Sequence, residues 1–157
     1  MLPPSDALAL CYALAVRSVQ AQAVAHDART VIDDQTRDAA VWEGVLEALD
    51  AASPLVEDAA WGRAFLEMTG IEGGPAGWLD AVRGALAGFD LPLRLGLGPN
   101  PFVAEAAAVR ADGTVCDGDP AAFLAAFPLE QLDCGPTVCD RLRLLGIATL
   151  GELAALP

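Results

Sequence analysis

The chain has 157 residues, a length that suits one domain, or one domain with a small helical appendage. Hydrophobic residues make up 54% of it, which excludes a disordered chain, and no apolar run reaches the roughly 20 residues needed to cross a bilayer as a helix. Acids outnumber bases 22 to 9, the net charge is −13, and every base is an arginine, so most of the surface repels a polyanion.

The start, MLPPSDALAL, carries no basic residue and has an acid at Asp6, which argues against a signal peptide and for a cytoplasmic location. Residues 7–19, ALALCYALAVRSV, open as a continuous apolar run. They read as a short buried strand entering a helix; periodicity leaves a helix throughout as the alternative. Residues 22–37 are polar and mixed, with Asp33 beside Asp34, and read as a connection. Over 38–51, Val41, Trp42, Val45, Leu46 and Leu49 fall on one helical stripe, and Ser53-Pro54 ends it.

Residues 55–58 and 63–69 read as strands; in the second, Ala64, Leu66 and Met68 alternate with Phe65, Glu67 and Thr69. Gly73-Gly74 breaks the chain, and Pro75 opens a helix striped by Trp78, Leu79, Val82, Leu86 and Phe89. A strand at 92–97 alternates Leu93, Leu95 and Leu97, and Gly98-Pro99-Asn100-Pro101 turns into an alanine-rich helix at 102–110. Asp112-Gly113 is a turn before a short strand near 114–116.

The remainder reads as helical. Asp119 caps a helix from Pro120, and Gly135-Pro136 opens another whose apolar face holds Val138, Leu142 and Leu145, stopped by Gly146. Thr149-Leu150-Gly151-Glu152 is a capping box for a last helix. The strand–helix–strand–strand–helix–strand order predicts an α+β fold, a ferredoxin-like sheet with helices on one face, followed by a helical subdomain.

Few residues here suggest chemistry. The four cysteines, Cys11, Cys116, Cys134 and Cys139, form no C-x-x-C pair, and His26 is the single histidine, so no zinc site is expected and the thiols read as buried or half-buried in a reducing cytosol. Ser18 and Ser53 lack the His–Asp context of a hydrolase. Trp42 and Trp78 lie on apolar stripes and read as core; Trp61, at a hairpin turn before Gly62, is a candidate partner contact.

Three ordered stretches resemble the core of Y-family DNA polymerases, the lesion-bypass enzymes. SPLVEDAAWGRAFLEMTG at 53–70 resembles S-P-x-V-E followed by S-I-D-E-A-F-L-D-V-T-G, and LPLRLGLGPNPFVAEAAA at 91–108 is similar to S-x-G-I-x-x-N-K-x-L-A-K-x-A-S. LEQLDCGPTVCDRLRLLGIATLGELAALP at 129–157 is similar to the thumb's G-I-G-x-x-T-x-x-x-L-x-x-L-G-I-x-T-I-x-D-L. A fourth stretch, LCYALAVRSVQA at 10–21, resembles the opening strand L-D-M-D-A-F-F-A-S-V-E; a competing alignment puts residues 1–12 at the end of a truncated fingers region.

The resemblance implies a palm-like domain over 1–118, its fingers reduced to a short connection, and a thumb-like helix-hairpin-helix over 119–157. It also implies that the family's little finger is missing.

In the family, nucleotidyl transfer uses divalent metals held by an aspartate on the first strand and an adjacent Asp-Glu on the hairpin. The matching positions here are Cys11, Gly62 and Arg63, and the family's helix lysine is replaced by Glu105. The resemblance therefore implies no metal, no cofactor and no catalysis, as in the ImuB type of polymerase-like accessory proteins. It implies protein partners from the DNA repair or replication machinery, no membrane, and DNA as at most a weak ligand. Gly135, Thr137, Arg141 and Arg143 are the candidate DNA-backbone contacts, with Asp133 where the hairpin's first glycine is expected. Two alternatives stay open: a small DNA-binding module that uses this hairpin, and a vestigial stress protein with an unrelated partner.

Overall fold

The computed structural model describes residues 13–18, 28–60, 62–68, 72–89, 93–132 and 134–157. Cys11, His26, Trp61 and Asp133, singled out from the sequence, lie outside them. The chain divides into two compact units, Met1–Val115 and Cys116–Pro157. Among the described residues no helix is long and apolar enough to cross a membrane.

In the first unit, β1 (Ala13–Ser18), β2 (Val56–Ala60), β3 (Arg63–Glu67), β4 (Leu93–Gly98) and β5 (Thr114–Val115) form one sheet in the order β2-β3-β1-β4-β5. β1 is central and runs antiparallel to both β3 and β4, whereas β5 is parallel to β4. The first four strands therefore have the ferredoxin-like order, with β1 in the central place that the first alignment of residues 10–21 requires.

Helices α1 (Ala28–Asp50) and α2 (Gly74–Leu86) cover one face. Trp42, Val45 and Leu49 of α1 and Trp78, Leu79, Val82 and Leu86 of α2 bury there against Ala64, Leu66, Met68, Leu95 and Leu97. Burying each large aliphatic or aromatic side chain contributes about 1.5–3 kcal/mol. Polar links fix the layer's edges. The Trp42 indole N–H donates to Asp58 at 3.1 Å, and the buried Ser53 hydroxyl donates to the Glu67 carbonyl at 2.7 Å.

Two sequence expectations need correction. Residues 28–37 are helix, not connection, because α1 starts at Ala28. No glycine or proline interrupts the chain between Ala28 and the packed stripe, and extending a nucleated helix through polar residues costs little. Nor are the helices confined to one face. Helix α3 (Pro101–Arg110) lies on the other, where Ala104 and Ala108 pack with Phe65.

The cause is on β4. Its leucines, Leu95 and Leu97, face α1 and α2, so by strand alternation Gly96 and Gly98 face α3. A Cβ on Gly96 would stand 2.1 Å from the Ala108 nitrogen, and one on Gly98 would stand 2.8 Å from the Ala104 nitrogen. Asn100 caps α3 by accepting from the Val103 N–H at 3.0 Å, and Pro101 takes the first turn.

The second unit holds α4 (Pro120–Leu124), a 3-10 turn (Leu129–Gln131), α5 (Pro136–Leu144) and α6 (Leu150–Ala154). Asp119 caps α4 by accepting from the Ala121 and Ala122 N–H groups. Gly146, at φ +82, ends α5. Its N–H reaches the Arg143 carbonyl and the Ile147 N–H reaches the Leu142 carbonyl, a Schellman closure. The capping box is present at Thr149 and Glu152. The small core holds Phe127, Leu129, Cys139, Ile147 and Leu150.

The apolar face read for α5 is wrong. Val138 is 44% and Leu145 77% exposed, Leu142 is half-buried, and Cys139 is the residue α5 buries. The inward stripe is centred on a cysteine, which behaves as a small hydrophobe.

Two predictions follow from these contacts. Gly96→Ala forces α3 off the sheet and is expected to cost about 1–3 kcal/mol in urea unfolding; Gly84→Ala, on α2 with nothing within 4 Å of the new Cβ, is expected to gain up to about 1 kcal/mol. Hydrogen bonds from the Ala148 and Thr149 N–H groups hold the Glu152 carboxyl below the ordinary carboxylate range. A depressed folded-state pKa contributes stability above the ordinary glutamate range, lost as pH falls through the lowered value. Glu152→Gln is therefore expected to weaken the acid dependence of unfolding, followed by circular dichroism across that window.

Candidate functional site

The β2–β3 hairpin builds the site. Gly62 takes φ +76, a left-handed conformation that glycine adopts without strain, and Arg63 begins β3 immediately after it. Ala64 and Leu66 point into the α1–α2 core, so alternation turns Arg63 and Phe65 toward α3. There the Arg63 guanidinium Nη1 lies 3.0 Å from Glu105 Oε1. The Glu105 side chain is 18% exposed and that of Arg63 36%, so the pair is screened less than a surface one. Arg63 Nε is buried without a hydrogen-bond partner among the described residues.

In register, Arg17 of β1 stands opposite Arg63 on one side and Arg94 of β4 on the other. Arg94 donates to the Val109 carbonyl of α3 at 3.3 Å.

Divalent cations such as Mg²⁺ are held by several oxygen ligands, carboxylates above all. Gly62 offers no side chain, Arg63 offers a permanent positive charge, and Glu105 is engaged by Arg63. Asp58 is tied to Trp42 of α1, on the far side of the sheet. Among the described residues no group of three His, Cys, Asp or Glu side chains could hold a metal ion. The described residues do not fit a two-cation centre.

The candidate DNA contacts separate in the second unit. Gly135, at φ +79, and Thr137 are exposed at the start of α5, whereas Arg141 is exposed in its last turn. Arg143 is engaged instead: it is paired with Glu130, and with Asp140 at 3.3 Å. An arginine held by two carboxylates contributes little net charge toward a phosphate.

Solved structures share this architecture. DinB from Sulfolobus solfataricus aligns with a TM-score of 0.64 at 19% identity, over 78% of this chain and 39% of its own. The post-insertion binary complex of Dbh DNA polymerase aligns with a TM-score of 0.65 at 20% identity, over the same shares, 78% and 39%. A DinB family error-prone DNA polymerase from Sulfolobus solfataricus reaches 0.67 at 13% identity, over 93% of this chain and 60% of its own. No protein-family profile and no curated protein matches. The fold is thus that of a polymerase core, and specifically a Y-family polymerase-like core. The chain spans only 39% of the length of the DinB and Dbh chains it matches.

Arg63 and Glu105 each stand out in the sequence, but their pairing does not. On the resemblance, Arg63 stands in an acid's place and Glu105 in a lysine's, and that double reversal was the available signal. If the two side chains stabilise each other, Arg63→Ala and Glu105→Ala should each destabilise, and the double variant should cost less than their sum. A coupling of about 1–2 kcal/mol is expected from a double-mutant cycle in urea. The swap Arg63→Glu with Glu105→Arg should recover most of it.

Proposed function

We propose that the chain is a non-catalytic Y-family polymerase-like protein that serves DNA damage tolerance, or translesion synthesis, through protein contacts, in the manner of the ImuB type. The observation that carries this reading is the Arg63–Glu105 pair at 3.0 Å. On the family's pattern, Arg63 takes the place of a metal-binding carboxylate and Glu105 the place of a lysine. Cations that would activate a 3′-oxygen and stabilise a leaving pyrophosphate meet a guanidinium instead. The net charge of −13 supports proteins of the repair or replication machinery as partners ahead of DNA.

A second reading, a DNA-binding module using a helix-hairpin-helix about Gly135, draws on the exposure of Gly135, Thr137 and Arg141. The engagement of Arg143 by Glu130 and Asp140 weighs against it.

Primer extension with magnesium or manganese tests the main reading. No product is expected, and extension abolished by Asp58→Asn or Glu67→Gln would overturn the reading. Fluorescence anisotropy with primer–template DNA separates the two readings. The accessory reading expects no binding at about 0.15 M salt; salt-sensitive binding weakened by Arg141→Ala would favour the hairpin module.

A further inference from the structure

Away from Arg63, two nucleophilic side chains touch. Cys134 Sγ lies 3.4 Å from Cys139 Sγ. Cys139 is buried on the inward side of α5, and Cys134 is half-buried in the turn that enters it. The spacing does not suggest this contact, because Cys134 precedes the helix. Gly135, at φ +79, turns the chain back over α5, and the Cys139 N–H donates to the Gly135 carbonyl at 3.3 Å. A disulfide needs its sulfurs about 2.05 Å apart, a gap that side-chain rotation can close from this starting point.

We propose that Cys134 and Cys139 form a dithiol modification site, oxidised to an intramolecular disulfide by small-molecule disulfides of the glutathione class. The Cys139 thiol is pushed up, first by its hydrogen bond with Cys134 and then by burial. It is therefore the resolving sulfur, and the more accessible Cys134 meets the reagent. The Cys134 thiolate attacks one sulfur of oxidised glutathione, whose S–S bond breaks and releases one glutathione. Cys139 then attacks Cys134 Sγ and releases the second. The two cysteines lose two electrons and two protons, and one oxidised glutathione becomes two reduced ones. The new bond closes a ring across Gly135 and pins the entrance of α5 to the helix.

The test uses the full chain, incubated with oxidised glutathione, alkylated and cleaved at glutamates. Cleavage after Glu130 and Glu152 leaves Cys134 and Cys139 together in a peptide that excludes Cys116. That peptide is expected to resist alkylation, to be lighter by two hydrogens and to carry no glutathione. Cys139→Ser is expected to retain one glutathione on Cys134, Cys134→Ser to leave Cys139 unmodified, and Cys116→Ser to change nothing. Alkylation of both cysteines in the oxidised wild-type chain, stable glutathione on its Cys134, or a bond from either to Cys11 or Cys116 would overturn the proposal.

Discussion

Helix α3 can reach the sheet because β4 presents glycine on that side. Gly96 and Gly98 leave no Cβ where the backbone of α3 passes, at Ala104 and Ala108. Almost any other residue there would push the helix outward, since interiors tolerate few overlaps. This close seat turns Glu105 toward the first residue of β3. The opposite face, with its leucines, tryptophans and Met68, supplies most of the burial that holds the unit together. The glycine face buries mostly small residues, Ala104 and Ala108 among them, and carries most of the candidate chemistry.

At that seat a guanidinium on β3 meets a carboxylate on α3 at 3.0 Å. A partly buried pair of this kind gives modest net stability, because desolvation offsets much of the attraction. Its larger consequence is local. Each group already has the other as its partner. A fold can carry many functions, so the likeness to DinB and Dbh fixes the scaffold and leaves the function to the side chains.

Much of the scaffold was legible in the residues. The stripes through Trp42 and Trp78, the alternation at Ala64, Leu66 and Met68, and the cap at Thr149–Glu152 lie where periodicity and capping chemistry place them. Other features were hidden for identifiable reasons. The first ten residues of α1 form a polar extension with no stripe, so they resemble a loop. Amphipathicity says that α3 has a buried side but not which face of the sheet it meets; the alternating glycines of β4 carried that information. On α5 the leucines drew the apolar stripe outward, because Cys139 was not counted as the buried residue. For Arg63 and Glu105 each departure from the resemblance was visible alone, and only the fold brings these two residues, 42 positions apart in sequence, into contact.

The central claim is that Arg63 and Glu105 close this place to divalent cations. Titration with manganese, followed by the electron paramagnetic resonance of the free ion, tests it most directly. The comparison is the Arg63→Ala/Glu105→Ala double variant, which keeps the same net charge. The wild-type chain is expected to take up no more manganese than the double variant. Saturable uptake by the wild-type chain that the double variant lacks would contradict it.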